Sequence, residues 1–441
     1  MPEKRNLVLI TLDSLRADHC SFMGYKRQTT PNLDKFAKDG LYFENAIAPS
    51  VGTPTVMFSV FTGEYALIDP RETAPEPWRR AFAKSKTLAQ MLSTKGYFTG
   101  AFTPNPFVSG YFGFNKGFCY YQDFLSGDAN KGVLSRFYNL TEFLARTGML
   151  HFLRNVRNLM LKVMLKEGFF KLWEAYYDAI IDLARRANNP FPFFLWILLI
   201  DTHHPYLAPR KFRKWSNFFT MWLSNWRLQK VNWENKLSDR ERKWLINAYD
   251  DSIYYADSFV KRLWDDLEDL DPVFIIHADH GEGFGEHGLY GHGPFLYEEF
   301  IKVPLIIYNA DVKGKIDKPV SLLGLAPTIL ELVGEENEFS PQSFLNEGKN
   351  WVISKVLEHA RSKEKIAVRM KDYKFITGQK EEDELYYLKK DPHEQKNVIS
   401  EHPELAKEMR KIVEIHVKQE MEKRTIREII SRIKTVKVDR T

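Results

Sequence analysis

The sequence predicts an α/β fold: a mostly parallel sheet with helices on both faces, followed by a small C-terminal α+β subdomain with antiparallel strands. Three near-continuous apolar runs, at 6–12, 191–200 and 272–276, carry the first part of this prediction. Such runs are typical of parallel strands that are buried on both faces. Helical patterns separate the runs, and alternating strands and helices favour a parallel sheet. Beyond residue 350, short strand-like runs between polar turns predict the antiparallel sheet.

Length and composition set the outline of the chain. Its 441 residues exceed an ordinary single core, so we expect a large domain at 1–345, with insertions at about 134–190 and 208–235, and a small one at 346–441. The net charge of +5 is too small to indicate nucleic-acid binding. Because the chain has two cysteines, no visible signal peptide and no apolar run of about 18 residues, we expect a cytoplasmic protein without a membrane span.

Local patterns predict the remaining elements. Helices are predicted over 33–40, from 54 onward, and over 86–96, 238–270, 321–333 and 402–434, and strands over 41–48, 98–102, 300–308, 366–370, 374–377 and 385–388. The helix at 238–270 has the clearest start, because Ser238 is a good N-cap and apolar residues recur after it at helical spacing.

Two segments combine basic residues with apolar or aromatic ones. Residues 134–188 have leucine, phenylalanine and methionine at helical spacing, with arginine and lysine between them. A basic amphipathic segment packs on a core or lies on an anionic membrane surface, and we favour core packing here. Residues 211–233 are crowded with tryptophan, phenylalanine and bases, which suits an interfacial or ligand-covering element or an aromatic subcore under a lid.

Acidic side chains follow the three buried runs. Asp13 follows the first run, Asp201 the second and Asp279 the third. Because the carboxyl ends of parallel strands meet at one edge of a sheet, we expect these acids to be neighbours. The third acid belongs to a glycine-rich loop, 277–293, whose density of acids and histidines is hard to explain as a plain polar turn.

These positions can be combined into one metal site. Asp13, Asp279 and His280 supply three candidate ligands, and Thr53, at the start of the helix near Pro54, supplies a hydroxyl as the fourth. Taken alone, Thr53 is better explained as an N-cap than as a catalytic residue. A hydroxyl that is bound to a cation has a lowered pKa and becomes a nucleophile.

Further side chains can handle charge and protons. His203 and His292, with Arg16, are candidates to bind an anionic group or to protonate a leaving oxygen. The whole set suits displacement at a charged tetrahedral centre, either sulfur or phosphorus. Glu282, Glu286 and His287 are as well explained by shaping the loop as by chemistry.

Several short motifs are weak signals singly, but their order and spacing together are specific. They are Leu-Asp-Ser-Leu-Arg-Ala-Asp at 12–18, Thr-Pro-Asn-Leu-Asp at 30–34, Phe-Thr-Gly-Glu-Tyr at 61–65, Asp-Thr-His-His-Pro-Tyr at 201–206, Ala-Asp-His-Gly-Glu at 278–282, Gly-Glu-His-Gly at 285–288, Val-Pro-Leu-Ile-Ile at 303–307, Leu-Ala-Pro-Thr-Ile at 325–329 and Leu-Tyr-Tyr-Leu-Lys-Lys-Asp-Pro at 385–392. With these motifs the chain resembles the sulfatase family of the alkaline phosphatase superfamily over roughly 5–415. The resemblance implies an alkaline-phosphatase-like α/β/α sandwich and a metal-dependent hydrolase of sulfuric or phosphoric esters.

The chain departs from the family pattern at its most informative position. Many sulfatases carry a cysteine or serine that is converted to formylglycine, followed by proline and arginine two and four positions later. Thr53 stands at that position, Pro54 comes one residue early and Met57 replaces the arginine, so the conversion signature is absent. Ser14 also replaces the second of two adjacent aspartates, and His280 stands where many members have asparagine.

The departures resemble relatives that use an unmodified threonine. These include phosphodiesterases and the phosphoethanolamine and phosphoglycerol transferases, which hold one metal with an acid, a threonine, an aspartate and a histidine. Asp13, Thr53, Asp279 and His280 match that set. One nitrogen and three oxygen donors favour Mn²⁺ or Zn²⁺, with Ca²⁺ or Mg²⁺ as alternatives.

Three functional hypotheses remain at this point. The first is hydrolysis of a sulfate, phosphate or phosphonate ester by attack of a metal-bound Thr53, on an anionic small molecule, glycan or lipid headgroup. The second is transfer of a phosphoryl headgroup at a membrane surface, which implies peripheral membrane contact and is supported only by the two basic segments. The third is a non-catalytic member of the family. Intact ligand positions count against the third hypothesis.

Overall fold

The computed structural model describes residues 4–70, 72–124, 171–188, 191–232, 235–358, 363–378 and 382–438. Its strands are β1 (Leu7–Leu12), β2 (Leu41–Phe43), β3 (Ala46–Ile47), β4 (Phe98–Phe102), β5 (Tyr120–Gln122), β6 (Phe193–Leu199), β7 (Val273–Ala278), β8 (Gly283–Phe284), β9 (Tyr290–Gly291), β10 (Lys302–Val303), β11 (Leu305–Tyr308), β12 (Gly314–Ile316), β13 (Val320–Ser321), β14 (Trp351–Glu358), β15 (Lys363–Met370), β16 (Tyr373–Gly378) and β17 (Glu384–Tyr387). Its helices are α1 (Pro31–Asp39), α2 (Thr53–Thr62), α3 (Pro75–Lys84), α4 (Leu88–Thr94), α5 (Tyr177–Ala187), α6 (Phe218–Leu228), α7 (Asp239–Leu267), α8 (Glu298–Ile301), α9 (Leu325–Leu332) and α10 (Pro403–Val438).

The main sheet has eight strands in the order β12-β2-β11-β7-β1-β6-β4-β5. The five strands from β7 to β5 run parallel, and β11 runs antiparallel to both of its neighbours. Asn6 joins the amino ends of the three central strands, because its side-chain oxygen accepts from the amide of Phe193 and its carbonyl accepts from the amide of Val273. The carboxyl ends of β6, β1 and β7 are therefore adjacent, as the sequence predicts.

Helices cover both faces of this sheet. On one face, α1 and α5 contact α7, and Phe36 and Trp264 pack on Phe274 of β7. On the other face, α2 contacts α4 and α9, and Phe61 packs edge-on against Trp196 of β6. The predicted α/β class with a mostly parallel sheet is confirmed.

The C-terminal strands β14 to β17 form the predicted antiparallel sheet, in chain order. Alternate residues face opposite sides, as the period of two in a strand requires. Ala367 and Ile376 belong to the main core, whereas Val368 and Phe375 pack with Met409 of α10. The sheet thus lies between the large domain and the terminal helix, and the division of the chain at residue 345 stays a prediction.

Several local predictions were wrong. The predicted strand at 41–48 is two short strands in different sheets, and the predicted strand at 300–308 begins with the helical turn α8. Pro304 separates β10 from β11, because proline lacks the amide hydrogen that a ladder needs. Helices α3 and α6 and strand β14 were not predicted.

The predicted helical segment at 134–188 falls mainly outside the described residues. Its last part forms α5, whose Tyr177, Ile180 and Ala184 are buried in the main core. Among the helices that the structure describes, none combines the length and the apolar character needed to cross a bilayer.

Candidate metal and active site

Three predicted ligands meet at the carboxyl edge of the central strands. Asp13 follows β1, and Asp279 and His280 follow β7; the side chains of all three have no exposed surface. One ligand atom of each lies within 4.8 Å of the others. His280 Nε2 is 3.6 Å from Asp279 Oδ2 and 4.0 Å from Asp13 Oδ1. The sheet therefore brings Asp13 together with Asp279 and His280, which lie far from it in the sequence.

The turn after β1 holds the two acids in place. Ser14 adopts a φ of +64°, a left-handed conformation that is uncommon for residues other than glycine and that often occurs at functional sites. This conformation directs the Ser14 amide to Asp279 Oδ1 at 3.0 Å, while its hydroxyl donates to Asp13 Oδ1 at 3.0 Å. Ser14 thus links the ends of β1 and β7 through their carboxylates.

Thr53 lies beside the acids at the first position of α2. Its hydroxyl donates to Asp13 Oδ2 at 3.3 Å. Gly52, not Thr53, is the N-cap, so capping does not explain the threonine. Gly52 has a φ of +83°, and a Cβ there would lie 2.9 Å from the side chain of Pro70, which favours glycine. The helix dipole favours negative charge at the place where the Thr53 hydroxyl lies.

Electrostatics show that the cluster lacks positive charge. Burial, and then the neighbouring Asp13 carboxylate, raise the pKa of Asp279 to about 8. Burial lowers the pKa of His280, which favours its neutral form. His280 Nδ1 is 2.8 Å from the carbonyl of Gly281, so Nδ1 carries the hydrogen and Nε2 presents a lone pair to the acids.

Two buried atoms of the cluster indicate whether it can bind a cation. Asp279 Oδ2 and His280 Nε2 are buried and have no hydrogen-bond partner among the described residues. A buried polar atom without a partner costs about 1–3 kcal/mol of stability. Two carboxylates and a neutral imidazole that converge in this way are a donor set for a divalent cation. The residues present therefore fit the metal that the sequence predicts.

One polar contact to the cluster was missed in the sequence. Asn105 donates from Nδ2 to Asp13 Oδ2 at 2.9 Å and is itself buried. It follows β4 at the same edge of the sheet, so the strand-end rule could have selected it. Asp201, which that rule did select, does not join the cluster. Its Oδ1 accepts from the amide of Trp173, and burial raises the pKa of Asp201 to about 7.

The two predicted proton-handling histidines lie next to His280. The ring of His292 is 4.7 Å from the ring of His280 and 5.2 Å from that of His203, centroid to centroid. His292 Nδ1 lies 3.4 Å from a carboxylate oxygen of Glu282. Burial acts to raise the pKa of Glu282, but His292 and its histidine neighbours outweigh it and lower this pKa to about 2. An ionised Glu282 can orient the His292 ring through this contact.

Arg16 reaches the same loop but uses its guanidinium for protein groups. It donates to both carboxylate oxygens of Asp18, at 2.8 and 2.7 Å, to Glu286 at 3.2 Å and to the carbonyl of Glu282 at 2.9 Å. These contacts hold the loop after Asp279, and direct binding of a substrate by Arg16 stays a prediction.

His287 lies apart from the cluster. Its Nδ1 is 2.8 Å from a Glu299 carboxylate oxygen, and its Nε2 is 3.0 Å from the carbonyl of Glu394. These contacts agree with a role in shaping the loop, which was one of the two alternatives for this residue.

Two protein-family models together match most of the chain. A family model described as Sulfatase matches residues 5–335, and one described as the C-terminal part of N-sulphoglucosamine sulphohydrolase matches 285–425. An arylsulfatase of Clostridium perfringens is 25% identical over 467 aligned residues, covering 93% of this chain and 94% of the relative. A phosphatidylethanolamine transferase of Escherichia coli, Mcr-2, is 32% identical over 108 residues, covering 22% of this chain and 20% of the relative.

Solved structures agree on the fold. A 2-O glycosaminoglycan sulfatase, BT1596, superposes with a TM-score of 0.69 at 18% identity, covering 95% of this chain and 92% of that one. The phosphonate monoester hydrolase of Agrobacterium radiobacter superposes with a TM-score of 0.66 at 16% identity, covering 94% of this chain and 95% of that one.

Proposed function

The chain belongs to the sulfatase family and is a hydrolase of sulfuric or phosphoric ester bonds, and we propose that it cleaves a sulfate, phosphate or phosphonate ester with Thr53 as the nucleophile. The observation that carries this proposal is the buried pair of unpartnered atoms, Asp279 Oδ2 and His280 Nε2, beside the Thr53 hydroxyl. The substrate is an anionic ester of a small molecule or glycan, in line with the arylsulfatase and the glycosaminoglycan sulfatase that the chain resembles.

Asp13, Thr53, Asp279 and His280 would hold one divalent cation. Three oxygens and one nitrogen favour Mn²⁺ or Zn²⁺. When bound, the cation lowers the pKa of a hydroxyl ligand and stabilises negative charge on the ester oxygens. Asn105 and Ser14 orient the acids through their hydrogen bonds.

The remaining side chains carry out the transfer. Thr53 Oγ1 loses its proton to solvent and forms a bond to the sulfur or phosphorus as the bond to the ester oxygen breaks, and the helix dipole of α2 favours the charge on Thr53. His292, held by Glu282, gives a proton to the leaving oxygen, with His203 beside it as the alternative donor. Water then attacks the sulfur or phosphorus and gives a proton to His292, which lost its own in the first step. The bond from Thr53 Oγ1 to the sulfur or phosphorus breaks, the oxyanion leaves, and Thr53 regains a proton from solvent.

Headgroup transfer is the second candidate, favoured by the partial match to the phosphatidylethanolamine transferase. It would differ only in the last step, where an alcohol replaces water as the acceptor. Product analysis with and without an added alcohol separates the two reactions.

The test is a panel of aryl sulfate, phosphate monoester, phosphodiester and phosphonate substrates, each with Mn²⁺, Zn²⁺, Ca²⁺ or Mg²⁺. We expect Thr53→Ala to lower kcat/KM by about 10⁴-fold or more, as loss of a nucleophile does in other enzymes. Thr62→Ala is the matched control, since its hydroxyl contacts only the backbone at the far end of the same helix. Unchanged activity of Thr53→Ala would remove the nucleophile assignment, and a metal-loaded protein inactive on every ester would favour the non-catalytic hypothesis.

A further inference from the structure

An exposed group of aromatic and basic side chains lies outside the candidate site. We call it the aromatic–basic patch and define it as Arg210, Lys211, Lys214, Phe218, Phe219 and Trp222. Phe218 is 64% exposed, Phe219 63% and Trp222 37%. Exposed large apolar side chains that lie close together are uncommon on folded proteins and often mark an interaction site.

The charge around the patch is positive. Between Asp201 and Glu234 the sequence has six lysines and arginines and no acidic residue. Acids from other elements face two of these bases: Glu174 contacts Lys211 at 3.2 Å, and Glu241 contacts Arg227 at 2.5 Å. The remaining bases are not balanced by any carboxylate contact that the described residues show.

The patch is held rigidly by buried polar contacts. Asp251 of α7, which has no exposed surface, accepts from the amides of Lys214, Trp215 and Ser216 at 2.6, 3.0 and 2.8 Å. Asn217 then caps α6 by accepting from the amide of Thr220, whose hydroxyl lies near the Asn217 amide in return. The fold therefore fixes Phe218 and Phe219 in an outward position at the start of the helix.

The same helix is joined to the candidate site. The Asn225 side chain bonds both the amide and the carbonyl of Tyr206, at 2.8 and 2.9 Å. Tyr206 donates from its hydroxyl to Glu282 at 3.2 Å, and Glu282 contacts His292. A surface that docks through α6 would lie near the loops that carry the proton-handling histidines.

We propose that the aromatic–basic patch docks the protein on an anionic membrane surface. Phe218 and Phe219 present hydrocarbon without a polar atom, which suits the boundary between lipid headgroups and acyl chains. Tryptophan and bases beside them are the composition of interfacial segments, with rings at headgroup depth and cations on lipid phosphates. Recognition of a sugar needs fixed hydrogen-bond donors and acceptors, whereas two of the three bases of the patch are flexible lysines, which supply charge without such geometry.

Co-sedimentation of the full-length protein with lipid vesicles tests the proposal. We expect binding to vesicles of equimolar phosphatidylglycerol and phosphatidylcholine, and none to phosphatidylcholine alone. The double variant Phe218→Ser, Phe219→Ser should bind at least about tenfold more weakly, because it removes most of the inserted apolar surface. Lys214→Gln should weaken binding about fivefold at low salt, the contribution of one base near an anionic membrane.

Two controls make the result specific. Ile415→Ser changes another exposed apolar residue, 58% exposed on α10, and should leave vesicle binding unchanged. The Phe218, Phe219 double variant should keep wild-type turnover of a water-soluble aryl ester, which separates failure of docking from failure of the proposed reaction. Quenching of tryptophan fluorescence by brominated lipid should fall in Trp222→Phe.

Other outcomes would overturn the proposal. Absence of binding to the anionic vesicles, or equal binding by the double variant, would remove the membrane as the partner. Binding to dextran sulfate that depends on Phe218 and Phe219, with no vesicle binding, would assign the patch to an anionic polysaccharide instead.

Discussion

Two of the buried clusters of charged side chains that the structure describes differ in whether each acid meets a cation. The site cluster consists of Asp13, Asp279 and His280. The interface cluster lies between the C-terminal sheet and the loop after the site and consists of Glu298, Glu394, Arg369 and Lys374. In the interface cluster, Arg369 donates twice to Glu298 at 3.1 Å, and Lys374 contacts both glutamates, at 3.2 and 2.6 Å.

The pKa values of Glu298 and Asp279 follow this difference. Burial acts to raise the pKa of Glu298, but Arg369 and Lys374 outweigh it and lower that pKa well below its usual range. Glu394, beside Glu298, has a pKa raised to about 7, mainly by burial. In the site cluster, burial and Asp13 raise the pKa of Asp279 to about 8, and no Lys or Arg contact to it is seen among the described residues. The acids of the interface cluster meet cations that join two elements, whereas the acids of the site cluster meet no Lys or Arg among the described residues, which agrees with a site for a cation.

The two clusters are connected through α8. Glu298 begins this helical turn, and the carbonyl of Phe300 in the same turn accepts from the Gly281 amide at 2.8 Å. A Cβ on Gly281 would lie 2.0 Å from the carbonyl oxygen of Glu299, so only glycine allows this approach. Gly281 follows His280 directly. The interface cluster therefore fixes the backbone beside a proposed metal ligand.

The largest effect is expected from breaking the site cluster. Asp279→Asn should lower ester turnover by about 10⁴-fold or more, as loss of an essential acid does in other enzymes. It should not lower the stability of the cation-free protein, because it removes a repulsion with Asp13. Turnover assays, elemental analysis of bound metal and urea unfolding measure the three quantities. Unchanged metal content in Asp279→Asn would contradict the site.

Breaking the interface cluster should have the opposite pattern. Glu298→Gln leaves Arg369 and Lys374 buried with less compensation, so we expect the free energy of unfolding to fall by about 3–4 kcal/mol. Turnover at a temperature where the variant is folded should fall far less than in Asp279→Asn. Urea unfolding monitored by fluorescence gives the first quantity.

A double-mutant cycle sharpens this prediction. Arg369→Met alone should destabilise, and the double variant with Glu298→Gln should recover part of the loss, because both partners are then uncharged. Lys371→Ala removes the exposed contact to Asp317 and serves as the control, with little change expected. Strict additivity of the two interface variants would show that the buried pair does not act as a unit.

Cation binding should stabilise only through the site cluster. At a free cation concentration about 100-fold above Kd, linkage predicts about 2.7 kcal/mol of added stability. Thermal unfolding with Mn²⁺ and with excess chelator measures it, and Asp279→Asn should abolish the difference. An equal shift in Asp279→Asn would place the cation elsewhere.

The smallest effect concerns pH and His287. Burial acts to lower its pKa, but hydrogen bonds to Glu299 and to the carbonyl of Glu394 raise it to about 9. This folded pKa exceeds the unfolded value of about 6.5, so the contribution to stability is complete below that pH and is lost as pH rises through 9.

After allowance for partial exposure we expect this contribution to be about 1 kcal/mol. Unfolding free energies of wild type and His287→Gln should therefore differ by more at pH 6 than at pH 10. The same difference at both pH values would show that the His287 charge does not contribute.

The parts of the site that could be predicted from the sequence are the acids that directly follow a buried strand. Asp13 and Asp279 follow apolar strands. Because the carboxyl ends of parallel strands lie at one edge of a sheet, the two acids were predicted to be neighbours. Asn105 was missed because the rule was applied only to acids. The interface cluster could not be predicted from the sequence, because an isolated charged residue such as Arg369 is usually exposed. Only the packing of the folded chain shows that it is buried.

The helix of the aromatic–basic patch was missed for a different reason. Its aromatic residues have only moderate helix propensity, and the contacts that fix its start come from Asp251, which is distant in sequence. The aromatic content of this segment alone did not distinguish a helix from an irregular loop that covers the core.

The position of β1 also has a consequence for the order in which the chain is made. This strand leaves the ribosome long before its two neighbours in the sheet, β6 and β7. At bacterial or eukaryotic elongation rates, β7 follows β1 after about 10–50 s. Until β6 is made, β1 has no partner on either edge, and its second edge stays unpaired until β7 follows.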